Sequence, residues 1–136
     1  FSSKELKETN IIEKKLEEFN IDFIVLAGFL LMVPPALIKK FPDKIINIHP
    51  ALLPKYGGKG MYGGHVHNAV INSCEIQSGI SIHYVNENYD EGNIIFQARC
   101  RVLKNDTPET LAKRIHELEH KYYPEIIEKV IREKFF

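Results

Sequence analysis

The sequence predicts an α/β fold: a doubly wound, mostly parallel sheet with an antiparallel carboxyl-terminal strand pair and a long final helix. Three observations predict it. Helical and strand patterns alternate through the first half of the chain, as in sheets wound by right-handed crossovers. Two short apolar runs rich in β-branched residues, Ile21–Ala27 and Lys44–His49, end at Gly28 and Pro50, as buried parallel strands do. Two later stretches, Ser78–Val85 and Asn93–Val102, alternate like strands and are joined by a connection short enough for antiparallel pairing.

Taken in order, Ser2 and Ser3 are candidate caps for a helix with Leu6, Ile12, Leu16 and Phe19 on its apolar stripe, a Lys/Glu face outside and Asn20 as its stop. The Ile21–Ala27 strand runs into Gly28 and an apolar loop, Phe29–Val33. Pro34 and Pro35 suit the first turn of a short helix ending near Phe41, because proline has no amide hydrogen to lose there. The Lys44–His49 strand follows. Lys55–Gly64 holds five of the eight glycines and is read as a loop, followed by a short helix over His65–Asn72. Beyond the strand pair, Thr107 or Asp106 caps the last helix, Pro108 opens it, and Leu111, Ile115 and Leu118 form its apolar stripe. Pro124 is expected to kink or restart that helix before Ile126, Ile127, Val130 and Ile131.

Chemistry concentrates at Lys44–Pro54. Side chains in a strand alternate between faces, so Asn47 and His49 share one face and Ile46 and Ile48 the other. Their separation of roughly 6–7 Å could be spanned by one reacting carbonyl group. The amide can donate to a developing oxyanion while the imidazole moves a proton. Pro50 ends the ladder and keeps His49 extended, which puts the pair at the strand's carboxyl end, where open α/β sheets bind ligands.

Composition narrows the classes. The 136 residues, 44% apolar and 26% charged, suit one globular domain. Eighteen basic and eighteen acidic residues cancel, which argues against nucleic-acid and membrane partners. No run reaches the roughly 20 apolar residues that span a bilayer, and no signal-peptide pattern is present, so a cytoplasmic location is expected. Cys74 and Cys100 fit neither a disulfide framework nor a metal site and are read as small buried thiols. His65 and His67, with His49 and His83, lack carboxylate or cysteine partners at ligand spacing and would diverge on a helix. They are read as caps or packing groups, with no metal, and His83 as support for the site from the next strand. The chain opens on Phe1 within an interior-type pattern, and an amino-terminal portion is expected to be missing.

The segments Asn47-Ile48-His49-Pro50, Leu52-Leu53-Pro54, Ser81-Ile82-His83-Tyr84-Val85 and Asp90-x-Gly92 together resemble the folate-dependent formyltransferases. Leu26-Ala27-Gly28-Phe29, Lys55-Tyr56-Gly57-Gly58 and Glu119-His120 with Tyr123-Pro124 are similar to the phosphoribosylglycinamide branch. The resemblance covers essentially the whole chain and implies a Rossmann-like formyltransferase domain. It also implies a formyl donor, 10-formyltetrahydrofolate, an amine acceptor, glycinamide ribonucleotide, and a step in purine biosynthesis by a monomer or homodimer. It assigns catalysis to Asn47, His49 and Asp90, donor binding to Leu30, Leu31, Met32, Val33, Asn47, Val85, Asn86, Glu87 and Asp90, and the acceptor's ribose to Glu119. Many relatives place Arg where Leu31 stands, a change that a backbone contact survives. The glycine-serine-asparagine turn that binds phosphate in the family has no match here. The same Asn-x-His and Asp chemistry would serve a formyltetrahydrofolate hydrolase or a methionyl-tRNA formyltransferase, and a chain without the phosphate turn could be an inactive folate-binding module.

Overall fold

The computed structural model describes residues 10–28, 33–58, 60–86 and 93–136. The expected caps Ser2 and Ser3, Leu6, the loop residues Phe29 to Met32, and Glu87 and Asp90 lie outside the described residues. The elements run α1 Ile11–Glu18, β1 Ile24–Leu26, α2 Pro35–Lys40, β2 Ile45–His49, α3 Gly64–Asn72, β3 Gln77–Tyr84, β4 Ile94–Arg101 and α4 Pro108–Phe135. The strands form one sheet in the order β1-β2-β3-β4, with β1 and β2 parallel and the β2–β3 and β3–β4 pairs antiparallel. The fold class is therefore α/β with a mixed sheet. Among the described residues the parallel pairing is confined to β1 and β2.

Alternation along the strands sorts the core into two layers. On one face, Ile46 and Ile48 of β2 and Ile80 and Ile82 of β3 pack with Val66 and Val70 of α3 and Leu111, Ile115 and Tyr123 of α4. On the other, Ile45 packs with Val33 and Leu37, backed by Ile12 and Leu16 of α1. Each of these fully buried isoleucines contributes about 1.5–3 kcal/mol relative to exposure. Gly79 has no room for a side chain: a Cβ there would lie 1.9 Å from the Ala98 carbonyl oxygen and 2.8 Å from Leu52 Cδ2.

Three expectations change. The Ile21–Ala27 strand is reduced to Ile24–Leu26 and is partly exposed, with Val25 at 40%. Among the described residues β2 is its one partner. Helix α4 runs through Pro124 without restarting. Proline removes one i to i−4 bond there, while Tyr123 on one side and Ile126 and Ile127 on the other pack onto the same core. Cys74 is exposed rather than buried, because it sits at φ 54° in the turn after α3, whereas Cys100 is half-buried. Its thiol is pushed up chiefly by burial.

The capping signal at α4 is realised by Thr107, whose side chain accepts from the Thr110 amide while Thr110 Oγ1 accepts from the Thr107 amide. Asp106 instead accepts two bonds from Arg114, at 2.9 and 3.1 Å, and Arg114 also donates to the Arg101 carbonyl. The guanidinium beside Asp106 holds that carboxyl well below its ordinary range. This ties the start of α4 to the end of β4. No helix among the described residues is long and apolar enough to cross a membrane.

Candidate active site at the carboxyl end of the second strand

In register, Asn47 stands opposite His83 and His49 opposite Ser81. Four polar residues therefore occupy neighbouring positions of two strands, on the face opposite Ile46, Ile48 and Ile82. His49 and His83 are each 2% exposed and Ser81 is fully buried. Burying polar groups to this depth requires hydrogen-bond partners.

Those partners are supplied locally. His83 Nδ1 lies 3.1 Å from the Tyr84 carbonyl, which can only accept, so Nδ1 carries the proton and Nε2 is left as an acceptor. Asn47 Nδ2 sits 3.4 Å from that Nε2. The contact is long and therefore weak, but it fixes which end of the carboxamide faces His83. His49 Nε2 lies 2.6 Å from the Tyr56 carbonyl, seven residues further along. By the same reasoning it is the protonated ring nitrogen.

The turn that follows His49 is held from the side. Ser81 Oγ donates to the Ala51 carbonyl at 2.7 Å and accepts from the Leu53 amide at 2.9 Å. Gln97, paired with Ser81 across β3 and β4, donates Nε2 to Ser81 Oγ at 2.9 Å and to the Leu53 carbonyl at 3.0 Å. The Leu53–Pro54 bond in this turn is cis. The sequence singles out His83 and places Tyr56 in a family-like segment, but it gives no sign of Ser81 as a clamp, of the Tyr56 contact with His49, or of Gln97. The alternation of Ser81 with His83 carried part of the signal; the Gln97 and Tyr56 contacts depend on strand pairing and loop path, which have no local signature.

Val33 and Val85 come together around Ile45, on the layer opposite α3 and α4. The Val85 amide donates to the Ile45 carbonyl at 2.9 Å, which brings the end of β3 beside the start of β2, and Asn86 is exposed just beyond. Leu30, Leu31, Met32, Glu87 and Asp90 are not among the described residues, so the geometry relates Asn47 and His49 to Val33, Val85 and Asn86 alone.

Glu119 lies half-buried on α4, one turn before Tyr123. Burial pushes its carboxyl up, while the charges of His116 and His120 pull it down. The Tyr123 hydroxyl donates to the Leu26 carbonyl at 2.6 Å, and Leu26 is the β1 partner of Asn47. The helix carrying Glu119 is thereby pinned to the carboxyl end of β1. Burial first, then the charge of Glu119, raise the Tyr123 phenol far above its ordinary value and keep it a donor.

His65 and His67 diverge on α3: His65 is exposed and stacks edge-on with Tyr62, whereas His67 is 3% exposed. Burial pushes the His67 ring down, and the charges of His116 and His49 push it further. Among the described residues its Nδ1 has no hydrogen-bond partner, and no three His, Cys, Asp or Glu side chains gather as a metal site.

Residues 1–127 match the family model described as formyl transferase. The chain is 50% identical over 119 residues to the chloroplastic phosphoribosylglycinamide formyltransferase of Arabidopsis thaliana, covering 88% of this chain and 41% of that protein. It is 37% identical over 131 residues to the phosphoribosylglycinamide formyltransferase of Bacillus subtilis, covering 96% and 64%. The crystal structure of the Bacillus halodurans phosphoribosylglycinamide formyltransferase superposes with a TM-score of 0.81 at 37% identity, over 88% of this chain and 59% of that one. The chain thus spans well under two thirds of the Arabidopsis relative, and slightly under two thirds of the other two. With a family match over nearly all its residues and a shared fold, the chain belongs to the formyl transferase family.

Proposed function

We propose that this chain supplies the catalytic and formyl-folate-binding portion of a phosphoribosylglycinamide formyltransferase, residues 1–136 forming one domain with an amino-terminal phosphate-binding portion. It would transfer the formyl group of 10-formyltetrahydrofolate to the amine of glycinamide ribonucleotide, in purine biosynthesis and in a soluble compartment such as the cytoplasm. The observation that carries this reading is the placement of Asn47 and His49 side by side at the carboxyl end of β2, in a chain whose named relatives are formyltransferases of this kind.

Amine attack on the formyl carbon creates an oxyanion, requires the nitrogen to lose a proton and requires the leaving nitrogen to gain one. Asn47 Nδ2 spends one hydrogen towards His83 and has a second for the oxyanion, a kind of contact worth about 3–4 kcal/mol. His49 relays the proton. Asp90 would orient or charge-balance the imidazole, and Glu119 would accept from the ribose hydroxyls. The apolar surface of Val33 and Val85 beside Ile45 suits a flat heteroaromatic ring read largely by backbone groups from Leu30 to Val33 and from Val85 to Asp90.

The test is to join the chain to the amino-terminal half of a relative, covalently or in trans, and follow formyl transfer to glycinamide ribonucleotide. Transfer that needs both halves supports the reading. Donor loss at the same rate without the amine would identify a hydrolase, and formylation of methionyl-tRNA would identify a different acceptor.

A further inference from the structure

Tyr123 links the two layers of the fold. Its ring, 7% exposed, packs in the layer of α3 and α4 with Ile46, Ile48 and Leu111. Its hydroxyl donates at 2.6 Å to the carbonyl of Leu26, the last residue of β1 and the partner of Asn47 in the parallel ladder. The Leu26 side chain belongs to the opposite layer, where it packs against the cluster of Val33, Leu37 and Ile45, as Val85 does. That cluster carries the apolar surface which the ring of the formyl donor would meet. Two residues further on, Gly28 takes φ 65° and the chain has left the ladder, so the bonded carbonyl marks where β1 ends. Burial, and then the charge of Glu119, hold the phenol far above its ordinary value, so it stays an O–H donor throughout the neutral range.

We propose that Tyr123 is a positioning residue for the formyl donor: from behind the sheet, its hydroxyl fixes the end of β1 and with it the Leu26 wall of the apolar surface around Val33 and Val85. This role rests on the donor reading given above. The ring itself lies in the other layer, so Tyr123 acts through Leu26 and not by touching the donor. Among the described residues β1 pairs with β2 over three positions, and ladder ends are the parts of a sheet that open most readily. A bond at the last carbonyl restrains that end. Asn47 is held independently of it, because β2 is also paired with β3, where Asn47 stands opposite His83. Loss of the hydroxyl therefore loosens the donor's seat and leaves the reacting geometry in place.

Tyr123→Phe removes the hydroxyl and leaves the ring in the core. In the enzyme completed with a relative's amino-terminal half, it is expected to raise KM for 10-formyltetrahydrofolate by about 3–10-fold, the range that one neutral hydrogen bond supplies. kcat and KM for glycinamide ribonucleotide should stay within about twofold. Calorimetry on the 136-residue chain, with tetrahydrofolate (the donor without its formyl group) as probe, should show Kd raised by the same factor. Val130→Ala supplies the comparison for a purely structural role: it removes buried apolar volume from the same helix and should lower the urea midpoint with the donor KM unchanged. If Tyr123→Phe behaves in that way, less stable but with wild-type donor KM and Kd, the proposal is overturned, as it is by an equal rise in both KM values. A wild-type chain that binds no tetrahydrofolate, in a completed enzyme that transfers no formyl group, would overturn the donor reading itself and this role with it.

Discussion

The two faces of β2 and β3 share one backbone and differ in almost everything else. On one, Ile46, Ile48, Ile80 and Ile82 present side chains without polar atoms to the helices α3 and α4. On the other, His49, Ser81 and His83 are as deeply buried and Asn47 partly so, yet their polar contacts must each be met by a particular carbonyl, amide or side chain. The first face depends on shape and volume, so its substitutions act on stability. The second depends on direction, so its substitutions act on where a proton sits and where a charge is met. His67 shows what happens where such a partner is missing: its Nδ1 has none among the described residues, and burial pushes the ring's pKa down.

Substitutions can break this contrast at graded cost. Ile82→Ala should lower unfolding free energy by about 2–5 kcal/mol in urea titrations while leaving the geometry around Asn47 intact. Asn47→Ala should do the reverse, lowering kcat of a complete enzyme by about 10²–10³-fold with little change in urea midpoint; a near-wild-type rate would remove Asn47 from the mechanism. Ser81→Ala crosses the divide, because it strands the Leu53 amide and one Gln97 donor; a loss of about 1–3 kcal/mol in stability is expected, together with slower transfer. Thr107→Ala lies on neither face and should cost about 1 kcal/mol with kcat unchanged.

The smallest expected effect is one of slope. The His67 pKa is lowered on folding, so the unfolded chain binds the extra proton first and stability falls as pH drops below the ordinary imidazole value of 6.5. His67→Asn should flatten urea midpoints measured from pH 7 down to pH 5. An unchanged slope would locate the acid sensitivity elsewhere.

Local patterns announced much of this architecture. β2 was legible because a β-branched run meets Pro50 within one element, and the start of α4 because Thr107 and Pro108 are capping residues in their own right. The Asn47 and His49 pair was legible because two-residue alternation alone puts them on one face. β1 is shorter than its apolar run, since such a run reports the hydrophobicity of a segment and not where the ladder starts. That Pro124 does not restart the helix was not legible either, because the proline alone does not report how its neighbours pack. The two bonds of Tyr56, from its hydroxyl to Glu75 and from His49 to its carbonyl, were invisible, since they join three segments through a side-chain hydroxyl and a backbone carbonyl.

The bond from the Tyr123 hydroxyl to the Leu26 carbonyl joins residues 97 positions apart. On a ribosome adding about 5–20 residues per second, β1 leaves the tunnel about 5–20 s before the helix that pins its carboxyl end exists. During that interval the carboxyl end of β1 has no final helix against it. The last helix therefore acts as a closing step in synthesis, and the carboxyl end of β1 is secured only when that helix arrives.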